Sequence, residues 1–473
     1  MKRPSAPAAF ALLFGLFLGL GIWKFGNPVI LDRQIATPAD LLNDAWPIHW
    51  SGWLLLPLAV LGLALPAARA GRWPRPGWLG LLPLAWLGWQ FLSATNTVDA
   101  ALTTATLWQF SGCVACYFLG LRVLARADAW RGLLPGLFAA LTFCLIRAVD
   151  QHVFEYPQNY QTLVEGSQNG WTNFTAAALA DMRTNRILII SNGLELPSPV
   201  ILTKFAHGRV SGTLVYPNAL AELILLLLPL ALTLSLTATK SLKPAIRLAV
   251  IGLTAALGGA AFFWTGSKLG WLIALGVAGL YLLRRDWPQR LKVVAVAAVL
   301  VLGLGVFAVR FHSYLSAGAT SVGARLDYWR AAVQTTANEP VLGTGPGTFQ
   351  RPYARLKAPD SEMARLTHND YLEQFGDAGI PSGLAYTAWI ALALATVGKK
   401  LWRTGDAAGF AVFAGLLAWF AQNFGEFGLY IPALAWTAFT LLGCAVGWAD
   451  GEPSTVSQHQ RCGSTQSLGR RLG

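Results

Sequence analysis

The chain has 473 residues, of which 54% are apolar and only 12% charged, too little charge to cover a soluble surface, so lipid is the solvent over much of it. A formal net charge of +13 would suit nucleic acid, but Lys and Arg come in small groups between apolar runs rather than along one stripe. That pattern is topological and excludes a nucleic-acid surface, and the 20 Trp residues fit the headgroup level, where one edge of an indole is wet and the other apolar.

From the N-terminus, Met1-Lys2-Arg3 followed by Ala8 to Trp23 has the outline of a signal peptide. No small-residue cleavage site follows it, so an uncleaved first span is expected. Segments near the ~20 apolar residues that cross a ~30 Å hydrocarbon layer recur at residues 8–23, 50–66, 78–94, 103–122, 132–150, 210–238, 246–264, 269–283, 292–309, 380–398, 409–424 and 430–448. The fold class is therefore all-α: a polytopic membrane protein with about twelve transmembrane helices over residues 1–450. Cys113 and Cys116 form a C-x-x-C inside one of these segments, out of reach of a redox partner or metal, and are read as packing residues. Residues 451–473, rich in Ser, Gln, Gly and Thr, read as a disordered tail.

Orientation follows from the basic residues of the short loops. If every segment crosses once, Lys2 and Arg3, Arg69 to Arg75, Arg122 to Arg131, Lys240 to Arg247, Arg284 to Lys292, Lys399 to Arg403 and Arg461 to Arg471 share one side, while Thr95 to Ala101 and Gly425 to Leu429 carry no Lys or Arg. This predicts a bacterial inner-membrane protein with both termini cytoplasmic. It puts two long loops, about 151–208 and 310–379, on the periplasmic side, where loops of that length usually carry function.

The chemistry-bearing residues gather around those loops. The first ends in Arg209-Val210-Ser211-Gly212-Thr213 and Tyr216-Pro217-Asn218; a short turn reads Thr265-Gly266-Ser267-Lys268. The second contains Arg325-Leu326-Asp327-Tyr328-Trp329, then Leu342-Gly343-Thr344-Gly345-Pro346-Gly347-Thr348-Phe349, then His368-Asn369-Asp370-Tyr371-Leu372-Glu373. In this order and topology, over roughly residues 205–400, the series resembles the O-antigen ligase and O-antigen polymerase superfamily. These are membrane glycosyltransferases of GT-C type that use glycans linked to undecaprenyl diphosphate. The family's Thr-Gly-Ser turn usually continues with Arg, where this chain has Lys268, which keeps the charge but lacks the guanidinium fork.

The resemblance implies an undecaprenyl-diphosphate-linked glycan as donor, lipid A-core or another glycan as acceptor, membrane lipids as surroundings and no cofactor. Such a donor already carries its leaving group, so the protein need only neutralise the diphosphate while an acceptor hydroxyl attacks. Arg209 and Arg325 are the candidates, since guanidinium binds phosphate oxygens bidentately; a snorkelling interface arginine is the structural alternative, and the reading adopted for Arg310, Arg330 and Arg365. His368 is the candidate general base. Thr367 to Asp370 matches a helix-capping pattern, which predicts Thr367 as the cap and His368 in the first helical turn, at a helix end that disfavours imidazolium.

Lys268, Asn218, Asn369, Asp370, Glu373, Gly345 and Gly347 complete the expected substrate-binding set. Asp370 and Glu373 either orient His368 or cap the helix, and the glycines either admit a phosphate or only form a tight turn. Glu222 is expected within a span, paired with Arg147 or Arg209 or else functional. The histidines show no metal-ligand spacing and no D-x-D cluster is present, so metal-independent transfer is expected. Ligation to lipid A-core ranks first, with repeat-unit polymerisation and protein O-glycosylation beside it; a transporter or flippase of lipid-linked sugars is the alternative of another class, disfavoured because the polar residues gather at one face.

Overall fold

The computed structural model describes residues 5–450 except 32–34, 36, 70–72, 127–128, 192, 317–319 and 360; the expected tail 451–473 and the basic residues Lys2, Arg3 and Arg72 lie outside the described residues. Each of the twelve apolar segments is a helix: α1 (Ala6–Lys24), α2 (Ile48–Ala64), α3 (Trp78–Ser93), α4 (Ala100–Leu119), α5 (Leu134–Asp150), α6 (Pro217–Ala238), α7 (Pro244–Thr265), α8 (Lys268–Leu283), α9 (Gln289–Arg310), α10 (Asp370–Arg403), α11 (Ala407–Gln422) and α12 (Pro432–Asp450). Among the described residues eight helices are long and apolar enough to cross a membrane, those at α1, α4, α5, α6, α7, α9, α10 and α12; α2, α8 and α11 are shorter apolar helices. The chain is an all-α, polytopic membrane protein.

The helix ends follow ordinary capping chemistry. Pro217 and Pro244 open α6 and α7, where a missing N–H loses nothing. Asp99, Ser267 and Asp406 cap α4, α8 and α11 by accepting free N–H groups of the first turn.

Burial is graded across the bundle. Every residue of α12 from Pro432 to Val446 is buried, and α11 is buried on nearly all sides, whereas α9 buries none and faces lipid. Around this central pair, α6 packs on α11, α4 on α12 and α10 on α3. Small residues allow the close crossings: a Cβ on Gly136 of α5 would lie 2.1 Å from the Gly15 carbonyl oxygen of α1, so only glycine fits there.

The two long loops differ in make-up. The first holds Tyr156–Gln168, Ala176–Thr184, Pro199–His207 and an antiparallel hairpin, Leu188–Ser191 with Leu194–Pro197, which the periodicity does not reveal. The second holds Thr320–Asn338 and Gln350–Leu356 before entering α10. That helix breaks at Ala378 and Gly379, the latter with φ 76° and ψ 176°, so Asp370 to Asp377 is a loop helix at an angle to the span. Buried polar bonds from α3 hold this loop helix: Trp86 and Gln90 both donate to Gln374 Oε1, at 3.0 and 2.7 Å.

Candidate functional site

Five separate pieces of chain meet at one end of the bundle: the Arg209–Asn218 stretch, the turn between α7 and α8, the helix Thr320–Asn338, the entry to α10, and the turn between α11 and α12. Their common point is Glu426, in the last of these turns and only 1% exposed. Its Oε1 accepts from Arg325 Nη2 and from Asn218 Nδ2, both at 2.6 Å. Its Oε2 accepts from the Tyr216 hydroxyl at 2.5 Å and lies 3.4 Å from His368 Nδ1. Burial pushes the Glu426 carboxyl upward, but His368, Arg325 and Tyr216 more than offset it and hold the group below the usual carboxylate range.

The arginines are each held on one side and open on the other. Arg209 Nε donates to the Thr265 carbonyl at 2.8 Å and its Nη2 to Asn218 Oδ1 at 3.0 Å. Arg325 Nε donates to the Gly425 carbonyl at 3.0 Å. Burial lowers the pKa of Arg209, with the Glu426 carboxylate pulling the other way. Lys268, the first residue of α8, points its ammonium at the Tyr314 ring, 3.9 Å from the centroid, and lies 5.4 Å from the centre of Phe311; Arg310 stacks over Phe263 at 4.9 Å. Below Arg310 an apolar groove of about 500 Å³, lined by Phe263, Val301, Leu302, Gly305, Val306 and Val309, runs along the lipid-facing side of α7 and α9.

His368 differs from its expected setting. The helix cap is Asn369, whose side chain accepts the Leu372 N–H at 3.0 Å, so His368 precedes the helix with a left-handed φ of 52° instead of lying in its first turn. Thr367 is not the cap because its backbone N–H is taken by Glu373, at 3.0 Å, while Asp370 turns inward to accept the Leu429 N–H at 2.8 Å. Asp370 and Glu373 thus brace the loop from the buried side, and the carboxylate beside His368 is Glu426. The imidazole stacks on Tyr328, with centroids 5.8 Å apart, and meets Phe427 edge-on at 4.8 Å.

Arg209, Asn218, Arg325 and His368 therefore come together, with Lys268 beside them and Asn369 setting the helix start. Gly345 and Gly347 do not join them. Their N–H groups are given to Asp377, to its backbone oxygen at 2.8 Å and its carboxylate at 2.6 Å. The same turn is fixed to the end of α3 by Ser93, which donates to the Leu342 carbonyl at 2.5 Å, and by Asn96, which donates to the Gly343 carbonyl at 2.8 Å. Its positive-φ glycines are clamp positions: a Cβ on Gly347 would lie 2.0 Å from Thr106 Oγ1.

Glu222 is fully buried, and neither expected partner reaches it: Arg147 pairs with Asp150 and Glu155, and Arg209 with Thr265 and Asn218. The residue that sequence reasoning missed is Glu426. Its signal was present, a lone carboxylate in a short turn between two apolar helices, where an acidic group needs a cation from elsewhere in the fold.

Fold and site together define a polytopic membrane protein with a cationic cluster and a histidine assembled at one end of its helix bundle. Residues 253–387 match the family model Wzy_C, O-antigen ligase, and through this segment the chain is a member of the O-antigen ligase and polymerase superfamily. No curated protein matches the chain. Membership implies glycosyl transfer of the ligase or polymerase type, with a lipid-linked glycan and a glycan acceptor as partners. The matched segment includes Lys268, Arg325 and His368 and leaves out Arg209, Asn218 and Glu426.

Proposed function

We propose that this protein transfers a glycan from undecaprenyl diphosphate to an acceptor hydroxyl at the periplasmic face of the inner membrane, with ligation to lipid A-core as the reaction. The observation that carries this reading is the Glu426 hub, which gathers the two arginine-bearing segments and His368 around one buried carboxylate. Arg209, Arg325 and Lys268 neutralise the diphosphate. The apolar groove that begins at Arg310 suits the polyprenyl chain.

His368 acts on the acceptor. With Nδ1–H directed at Glu426, Nε2 is left as the basic nitrogen, and the carboxylate stabilises the imidazolium that forms. The acceptor O–H gives its proton to Nε2 as its oxygen attacks the anomeric carbon. The bond from that carbon to the diphosphate oxygen breaks, the electron pair leaves with undecaprenyl diphosphate, and the anomeric configuration inverts.

The test is incubation of purified protein with a lipid-diphosphate glycan and lipid A-core in EDTA. Undecaprenyl diphosphate is expected to be released only when acceptor is present. Release without acceptor would make the protein a hydrolase, and no release with any acceptor would leave transport of lipid-linked sugars as the function.

A further inference from the structure

Beside the cationic cluster, the second long loop carries a separate cavity of about 210 Å³, lined by Ala324, Asp327, Tyr328, Tyr353, Ser361 and Glu362. Its chemistry is the reverse of its neighbour's. The floor is two buried tyrosines, packed edge to face with centroids 5.3 Å apart, and the rim carries two carboxylates and a hydroxyl. Tyr328 donates its hydroxyl to Glu362, Tyr353 donates to the Glu362 carbonyl at 3.0 Å, and Ser361 donates to Asp327 Oδ2 at 3.3 Å. Arg330 reaches Asp327 Oδ1 at 3.3 Å from the solvent side, with its own side chain 78% exposed. Lys357 spends its ammonium on the Ala358 and Ser361 carbonyls, at 3.3 and 2.8 Å.

Tyr328 belongs to both places. One part of it lines the cavity and its ring stacks on His368. The base therefore has a cationic flank, made by Arg209, Lys268 and Arg325, and an aromatic, anionic flank made by Tyr328, Tyr353, Asp327 and Glu362.

We propose that this cavity is a subsite for one acceptor sugar, a pyranose that is neutral or carries an amine and bears no phosphate. The assignment rests on the transfer reading given above. Aromatic faces receive the C–H face of a sugar ring, and carboxylates accept from its hydroxyls or pair with an ammonium. The same carboxylates repel phosphate, which keeps the diphosphate donor on the arginine side. The volume admits a single ring, so the rest of an acceptor glycan extends out of the cavity.

The test measures binding without turnover. Full-length protein in detergent, with no donor present, is titrated by saturation-transfer NMR with methyl glucosaminide, methyl glucoside and methyl glucoside 6-phosphate. The first two are expected to receive saturation and the phosphate ester is not. Glu362→Gln keeps an acceptor for the Tyr328 hydroxyl while removing charge, and is expected to weaken the amino sugar roughly tenfold, about the size of one charge-assisted contact. Asp327→Asn, at the half-exposed rim, is the second variant and is expected to act in the same direction. Equal or stronger binding of the phosphate ester by the unmodified protein, or no binding of any of the three, would overturn the assignment. Undecaprenyl diphosphate release, measured separately, tests the transfer reading, so either can fail while the other stands.

Discussion

The two long loops are similar in length and opposite in construction. The first closes on itself: Leu163, Trp171 and Leu188 form a small core of their own with Phe174, Leu179 and Met182 around them, and the hairpin is held by an exposed ion pair between Arg183 and Glu195. The second is bolted to the bundle, through Ser93, Asn96 and Trp89 of the α3 end, through Asp377, and through Arg325 and His368 at Glu426. Where a loop's polar groups are satisfied decides whether its side chains hold fixed positions against the membrane domain. The first loop delivers to the site only at its exit, where Arg209 follows the left-handed Gly208.

The sharpest test of the second loop removes its base. His368→Ala is expected to lower turnover by about two to four orders of magnitude with donor binding kept, the usual range for a lost general base. Glu426→Gln is expected to lower turnover as well, and donor affinity with it, because Arg325 loses its carboxylate. Near-normal transfer by His368→Ala in an assay limited by chemistry would reduce the loop helix to an acceptor platform.

Next come the arginines that the two loops contribute. Arg325→Lys is expected to be nearly as harmful as Arg325→Ala, since Nε and Nη2 hold Gly425 and Glu426 while phosphate must be met from the remaining edge, a division a single ammonium cannot reproduce. Arg209→Lys is expected to behave alike, because its Nε and Nη2 are spent on Thr265 and Asn218. Full activity in either lysine variant, measured as undecaprenyl diphosphate release, would mean that charge alone is used.

A pair of glycines compares the loops directly. Gly193 in the hairpin turn and Gly347 in the clamp both have φ 76°, yet a Cβ on Gly193 meets open space and one on Gly347 meets Thr106 Oγ1 at 2.0 Å. Gly193→Ala is expected to destabilise by about 1 kcal/mol from backbone strain alone. Gly347→Ala adds a clash, and a larger fall in melting temperature is expected together with loss of transfer. Equal melting temperatures would show that the clamp yields.

The smallest effect concerns pH. Glu426 has its carboxyl held below the ordinary value of 4.5, so its contribution to stability is complete above that value and disappears as pH falls through the depressed one. Melting of the intact protein from pH 7 to pH 3 is expected to fall more steeply than that of Glu426→Gln; parallel curves would show that the hub adds nothing to folding.

By itself the sequence determined the solvent, the all-α class and the positions of all twelve helices, because a lipid-facing helix must be apolar along its length and that signal is local. It also marked Arg209, Arg325 and His368, whose residue types suit phosphate and proton chemistry and whose spacing carries the family resemblance. Tertiary structure alone decided their company. Glu426 lies 101 residues beyond Arg325 and 208 beyond Asn218, and nothing near it in the chain announces that it will be paired. The capping pattern at Thr367 misled because Asp370 and Glu373 had better partners across the fold, in Leu429 N–H and Thr367 N–H, than the local arrangement offered. Gly345 and Gly347 read equally well as a phosphate cradle or a turn until Asp377 took their N–H groups. A buried carboxylate is satisfied by whichever donors the packing brings within about 3 Å, and that choice is made between helices, beyond the reach of any local pattern.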